Sequence, residues 1–114
     1  MIHYGVSKAA QIAVARGRVE TTTERGMRVN SVLPGPTRSE GVEAFIQQVV
    51  ISRGASAAEI EKDFFKTVRP TSPIKRFITP NEVAPLVAYL CNPVASATNG
   101  AALRVDGGVV ASIP

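Results

Sequence analysis

Met27-Arg28-Val29-Asn30-Ser31-Val32-Leu33-Pro34-Gly35-Pro36-Thr37 is the stretch on which the fold turns. Met27, Val29, Ser31 and Leu33 alternate with Arg28, Asn30 and Val32, the period of two that a strand requires. Pro34-Gly35-Pro36 ends it abruptly, because proline has no N–H with which to continue a ladder. Upstream, Gly26 stands where a helix is commonly capped in the left-handed conformation. The helix it closes is expected over residues 1–25, from Ile2 to about Arg25, with Val6, Ala9, Ala10, Ala13, Val14 and Gly17 lining one face at steps of three and four. A face of Ala and Gly lets a neighbouring backbone come close.

Downstream, the segment 39–75 reads as two helices. Val42, Phe45, Ile46 and Val49 have helical spacing before Gly54 interrupts them, and Ser56-Ala57-Ala58-Glu59 has the form of a capping box that opens the next helix through Ile60, Phe64 and Phe65. Pro70 and Pro73 mark a loop. Thr79-Pro80-Asn81-Glu82 is a second capping box, starting a helix over 79–92 with Val83, Leu86, Val87 and Leu90 as its apolar stripe. Pro85 removes a backbone donor inside that helix, so a kink or irregular first turns are expected. Asn92-Pro93 stops it, and a last strand, Ala101 to Val105, runs into Asp106-Gly107-Gly108 to close the segment 101–108.

Strands separated by helices define an α/β protein, with two parallel strands, about four helices and a right-handed crossover. Parallel sheets are normally covered on both faces. A pair of strands alone leaves an unpaired edge and apolar helix faces, so more protein is expected to cover them.

The chain has 114 residues, room for one domain. Hydrophobic residues make up 45% and charged residues 19%, an ordinary globular balance. The formal net charge is +4, but Arg16, Arg18, Arg25 and Arg28 are interrupted by Glu20 and Glu24, so there is no basic run of the kind that follows a nucleic-acid backbone. Cys91, the single cysteine, reads as a small buried hydrophobe in a reducing compartment. Nothing resembles a signal peptide or a span of ~20 apolar residues, and a cytoplasmic location is expected.

Tyr4 and Lys8 are four apart on the first helix and therefore share a face. A phenol is a poor proton donor at neutral pH, and an ammonium beside it favours the phenolate, so the pair suits acid–base chemistry. His3 faces elsewhere and reads as a surface or packing residue. No histidine or cysteine cluster offers a metal site.

Four segments carry a resemblance: Tyr4-Gly5-Val6-Ser7-Lys8-Ala9-Ala10; Val29 to Thr37; Thr79-Pro80-Asn81-Glu82-Val83-Ala84; and Asn99-Gly100-Ala101-Ala102-Leu103-Arg104-Val105-Asp106-Gly107-Gly108. In order and spacing the chain resembles the C-terminal half of a short-chain dehydrogenase/reductase. The resemblance implies part of a Rossmann-type, doubly wound parallel sheet whose N-terminal nucleotide-binding half is missing. It also implies an NAD(P)-dependent oxidoreductase in which Tyr4 is the general acid/base for a small carbonyl or alcohol substrate. Lys8 would bind the nicotinamide ribose, and Pro34, Gly35 and Thr37 would lie against the nicotinamide of NAD or NADP, Gly35 because it lacks side-chain bulk. The segment 39–75 would be the substrate lid, its Phe45, Ile46, Phe64 and Phe65 forming an apolar cover. Asp106-Gly107-Gly108 is a structural turn near the family's subunit interface.

The Gly-rich phosphate loop and the serine that polarises the substrate carbonyl would precede Met1. Ser7 cannot stand in for that serine, being short and on the same helix as Tyr4. The chain on its own is expected to be inactive. The alternative reading is a non-enzymatic oligomerisation module, with the small-residue helix face and the last strand pairing in a homo-oligomer.

Overall fold

A computed structural model describes residues 2–112. Helix α1 spans Ile2–Thr22 and passes into a 3-10 turn, Thr23–Arg25. Strand β1 follows at Ser31–Pro34, then α2 at Glu40–Arg53, α3 at Ala57–Thr67 and α4 at Pro80–Cys91. A second 3-10 turn, Pro93–Ala95, precedes β2 at Ala102–Val105. The architecture is α/β, and β1 pairs with β2. Ser31 N–H donates to Ala101 O at 2.8 Å and Gly35 N–H to Val105 O at 2.9 Å, so the register advances equally and in the same direction on both strands, which makes them parallel.

The expected termini follow from local chemistry. Gly26 (φ 69°) and Gly54 (φ 65°) adopt the left-handed conformation after α1 and its 3-10 turn and after α2. Ser39 caps α2 by accepting from Val42 N–H, and Ser56 with Glu59 forms the complete capping box of α3. At α4, Glu82 accepts from Thr79 N–H at 2.8 Å. That helix continues to Cys91 despite Pro85, which only removes the bond that the Asn81 carbonyl would otherwise accept.

The chain forms two compact units, Met1–Leu33 with Pro85–Arg104, and Pro34–Ala84 with Val105–Pro114. In the first, two residues expected in a longer strand do other work. Val29 N–H donates to Asn99 Oδ1 (2.9 Å), and Asn30 donates to Thr98 O (2.8 Å) while accepting from Ala101 N–H (3.0 Å). Side-chain amides thus replace ladder bonds, and β1 starts at Ser31 rather than Met27. Arg28 reaches the carbonyls of Ala95 (2.6 Å) and Asn92 (3.2 Å).

The small-residue stripe of α1 is not its packing face: Val6, Ala9, Ala10, Ala13, Val14 and Gly17 are all exposed. Ile12, Ala15 and Val19 are half-buried and Thr22 is buried, at the same helical steps but on another side. A Cβ added to Gly100 would come within 3.2 Å of Val19 Cγ2 and Arg16 Cδ, so the helix lies close over that turn. Ile12 and Val19 gain more from burial than alanine or glycine can, and they set the orientation.

The second unit holds the main core, Ile46, Phe65 and Phe77, with Val42, Val50, Ala57, Ile60 and Phe64 against it. The rings of Phe64, Phe65 and Phe77 form a triangle with centroids 4.9–5.1 Å apart. Phe77 had no place in the sequence pattern, whereas Phe45, expected within the apolar cover, is 57% exposed, and in the first unit Cys91, expected to be buried, is exposed as well. Ile78 bridges Thr37 in parallel, its N–H donating to Pro36 O.

Arg76 binds both oxygens of Glu82, at 2.9 and 2.7 Å. Together with the Thr79 backbone this pulls the Glu82 carboxyl from its ordinary 4.5 down to about 2. A depressed folded-state value contributes stability that is present above the unfolded value and is lost as pH falls through the folded one. Glu82→Gln is therefore expected to lower the thermal midpoint at pH 7, and its deficit against the wild type should close as pH falls from about 4.5 toward about 2. Thermal melts of both proteins across that range check it; a constant deficit would show that the charge is not responsible.

Candidate active site

One helical turn brings Tyr4 and Lys8 together on α1. Lys8 Nζ stands 5.5 Å from the centre of the Tyr4 ring and also donates to Gln11 Oε1 at 3.4 Å. Tyr4 is 55% exposed, so its hydroxyl is open to an incoming molecule. Ser7 is occupied locally, its hydroxyl donating to the Tyr4 carbonyl at 2.8 Å, a bond along the helix that offers nothing to a substrate. His3 is exposed.

Pro34, Gly35 and Thr37 belong to the second unit and form the turn that leaves β1. Thr37 Oγ1 donates to Gly35 O at 2.9 Å and folds the turn onto itself, which leaves the hydroxyl lone pairs able to accept from an amide. Gly35 has a packing reason that the sequence did not show. A Cβ there would lie 2.6 Å from Asp106 O and 2.7 Å from Asp106 Cα, inside another stretch of main chain. Asp106 is fixed in turn, its two carboxylate oxygens accepting from Gly108 N–H (2.9 Å) and Val110 N–H (3.1 Å). Gly107 and Gly108 both have positive φ, so this turn is dictated by backbone geometry.

Around the turn of the second unit lies an ionic cluster that sequence reading missed. Arg38 meets Glu43 at 2.6 Å and Glu61 at 3.7 Å. The hydrogen bond from Arg38, then that from Gln47, holds the Glu43 carboxyl below its usual range, and Glu43 in turn raises Arg38. Only the Arg38–Glu43 spacing of five, across a helix start, hinted at the pair. Among the described residues no cluster of His, Cys, Asp or Glu could hold a metal, and no helix is long and apolar enough to cross a membrane.

Residues 1–110 match the family described as Enoyl-(Acyl carrier protein) reductase. Two Bacillus subtilis proteins, the uncharacterized oxidoreductases YvaG and YvrD, are each 42% identical over 113 residues, covering 99% of this chain and 43% of the relative. L-sorbose reductase from Gluconobacter frateurii, solved with NADPH and L-sorbose, superposes with a TM-score of 0.86 at 25% identity over 96% of this chain and 41% of its own. A short chain dehydrogenase family protein from Francisella tularensis gives 0.81 at 28% identity, over 96% and 43%. The chain thus spans about two-fifths of the length of the proteins it matches.

Gly35→Ala is expected to destabilise the chain by about 1–3 kcal/mol, since the added methyl meets main chain that must shift rather than a side chain that can turn away. Urea denaturation measures this; a cost below about 0.5 kcal/mol would show that the Asp106 backbone yields freely.

Proposed function

The chain belongs to the short-chain dehydrogenase/reductase family, and we propose that it carries the proton-transfer side of an NAD(P)-dependent oxidoreductase acting on a small carbonyl or alcohol. The observation that supports this reading is the exposed Tyr4 hydroxyl with the Lys8 ammonium over its ring, one helical turn away. Tyr4 Oη gives a proton to the substrate oxygen in reduction and takes one back in oxidation. Lys8 donates hydrogen bonds to the ribose hydroxyls of the nicotinamide nucleotide, for which its three N–H bonds are suited.

The donor set of the β1 turn fits a carboxamide. Thr37 Oγ1 has acceptor capacity left after its bond to Gly35 O, while Pro34 and Gly35 carry no polar side-chain groups. NAD or NADP, when bound, supplies or accepts the hydride. The segment 39–75 covers the substrate, and Pro34, Gly35 and Thr37 position the cofactor ring.

Because the relatives are more than twice as long, turnover belongs to a protein that contains this segment along with the remaining length, and the chain alone is inactive. Joined to the remaining part of YvaG, it is expected to support NAD(P)H-dependent reduction of members of a ketone and aldehyde panel. In that chimera Tyr4→Phe lowers kcat about 10²–10⁴-fold. An unchanged kcat in Tyr4→Phe would remove the acid/base role.

A second reading rests on a different observation, the exposure of Ile2 (85%), Val6 (64%) and Val14 (61%) along α1. Apolar side chains left in water on one helix favour self-association, so the chain also serves as an oligomer contact. Light scattering is expected to give a mass above that of one chain. A clean monomer at high concentration would sink this second reading without touching the first.

A further inference from the structure

Helix α3 borders a cavity of about 570 Å³, within the size range of sites for small organic molecules. It lies wholly in the second unit, and Ala58 and Pro70, both exposed, form its apolar lining with the buried Phe65 beneath. Three ammonium-bearing side chains surround it: Lys62 and Lys66, one turn apart on α3, and Lys75 from the following loop. One carboxylate lines it, and that carboxylate is already engaged. Glu61 accepts from Phe77 N–H at 2.8 Å and faces Arg38 at 3.7 Å.

The charge is therefore uncompensated. Like charges at an i,i+4 spacing repel, and among the described residues neither Lys62 nor Lys66 has an ion-pair or hydrogen-bond partner. Lys75 donates to Pro70 O and sits at φ 50°, a left-handed conformation in which a lysine is strained and a glycine is not. A bare inorganic anion would satisfy the ammonium groups but leave the exposed apolar lining of Ala58 and Pro70 in contact with water. A neutral apolar molecule would cover that lining and leave the charges apart.

We propose that this cavity binds a single aliphatic carboxylate, its head held by Lys62, Lys66 and Lys75 and its chain laid over Ala58 and Pro70. The alkyl stems of the lysines extend the apolar wall, as such side chains do when only their ends are charged. The proposal does not use Tyr4 or Lys8, so its success or failure does not bear on the acid/base assignment.

The test is an amide NMR titration of the chain with decanoate, acetate and decanol. Decanoate is expected to give saturable shifts centred on Lys62, Phe65, Lys66 and Lys75 with a Kd below about 1 mM, and acetate and decanol to bind at least about tenfold more weakly. The double variant Lys62→Gln/Lys66→Gln should weaken decanoate about tenfold, whereas Lys62→Arg/Lys66→Arg, which keeps both charges, should retain it. Unchanged amides of the core residues Ile46 and Phe77 in each variant report an intact second unit. No saturation by decanoate, shifts centred elsewhere, equal binding of decanol, or an undiminished affinity in the glutamine variant would each overturn the proposal.

Discussion

Two asparagine side chains complete what a very short sheet cannot. Strands of four residues form few ladder bonds, and a parallel pair is less favourable per residue than an antiparallel one. Asn30 and Asn99 extend the pairing with three side-chain hydrogen bonds to the backbone around Val29, Thr98 and Ala101, and Asn99 also donates to Thr23 Oγ1 at 3.2 Å. Removing either would leave backbone groups unpaired, a penalty of about 1–3 kcal/mol each where they are shielded from water. The approach to β1, the loop before β2 and the end of α1 are thereby fixed in a single network within the first unit.

What could be read from the sequence divides along physical lines. Helix ends were legible, because Ser56 with Glu59, Thr79 with Glu82, and the glycines at 26 and 54 act within a few residues of themselves. The α/β order and the parallel pair followed from those boundaries. The face that α1 buries did not, since two candidate stripes share the helical period and only the tertiary partner at Gly100 selects Ile12 and Val19 over the alanines. Phe77 was hidden for the same reason: it lies in a loop with no periodicity, and its burial comes from Phe64 and Phe65, more than ten positions earlier.

The candidate site shows the same division. Tyr4 and Lys8 were visible because a single helix determines their separation, and the turn after β1 was visible because two prolines flank its glycine. The reason for Gly35 was not, as the atoms that demand it belong to Asp106, far along the chain. A cofactor role at Gly35 and a packing role are compatible: a residue without a side chain can leave room on more than one side. The main chain of Asp106 is what constrains the turn at Gly35.

The loop from Arg69 to Lys75 holds two unrelieved costs at once. Ser72 is 1% exposed, and its hydroxyl has no hydrogen-bond partner among the described residues, while Lys75 keeps a left-handed backbone. Both are released when the loop peels away from its surroundings and water reaches the hydroxyl. Opposing that release are the tether from Thr71 Oγ1 to Val109 O and the bond from Ser72 N–H to Arg69 O. Both costs subtract from the free energy that holds this loop closed, and the core around Phe65 carries neither of them.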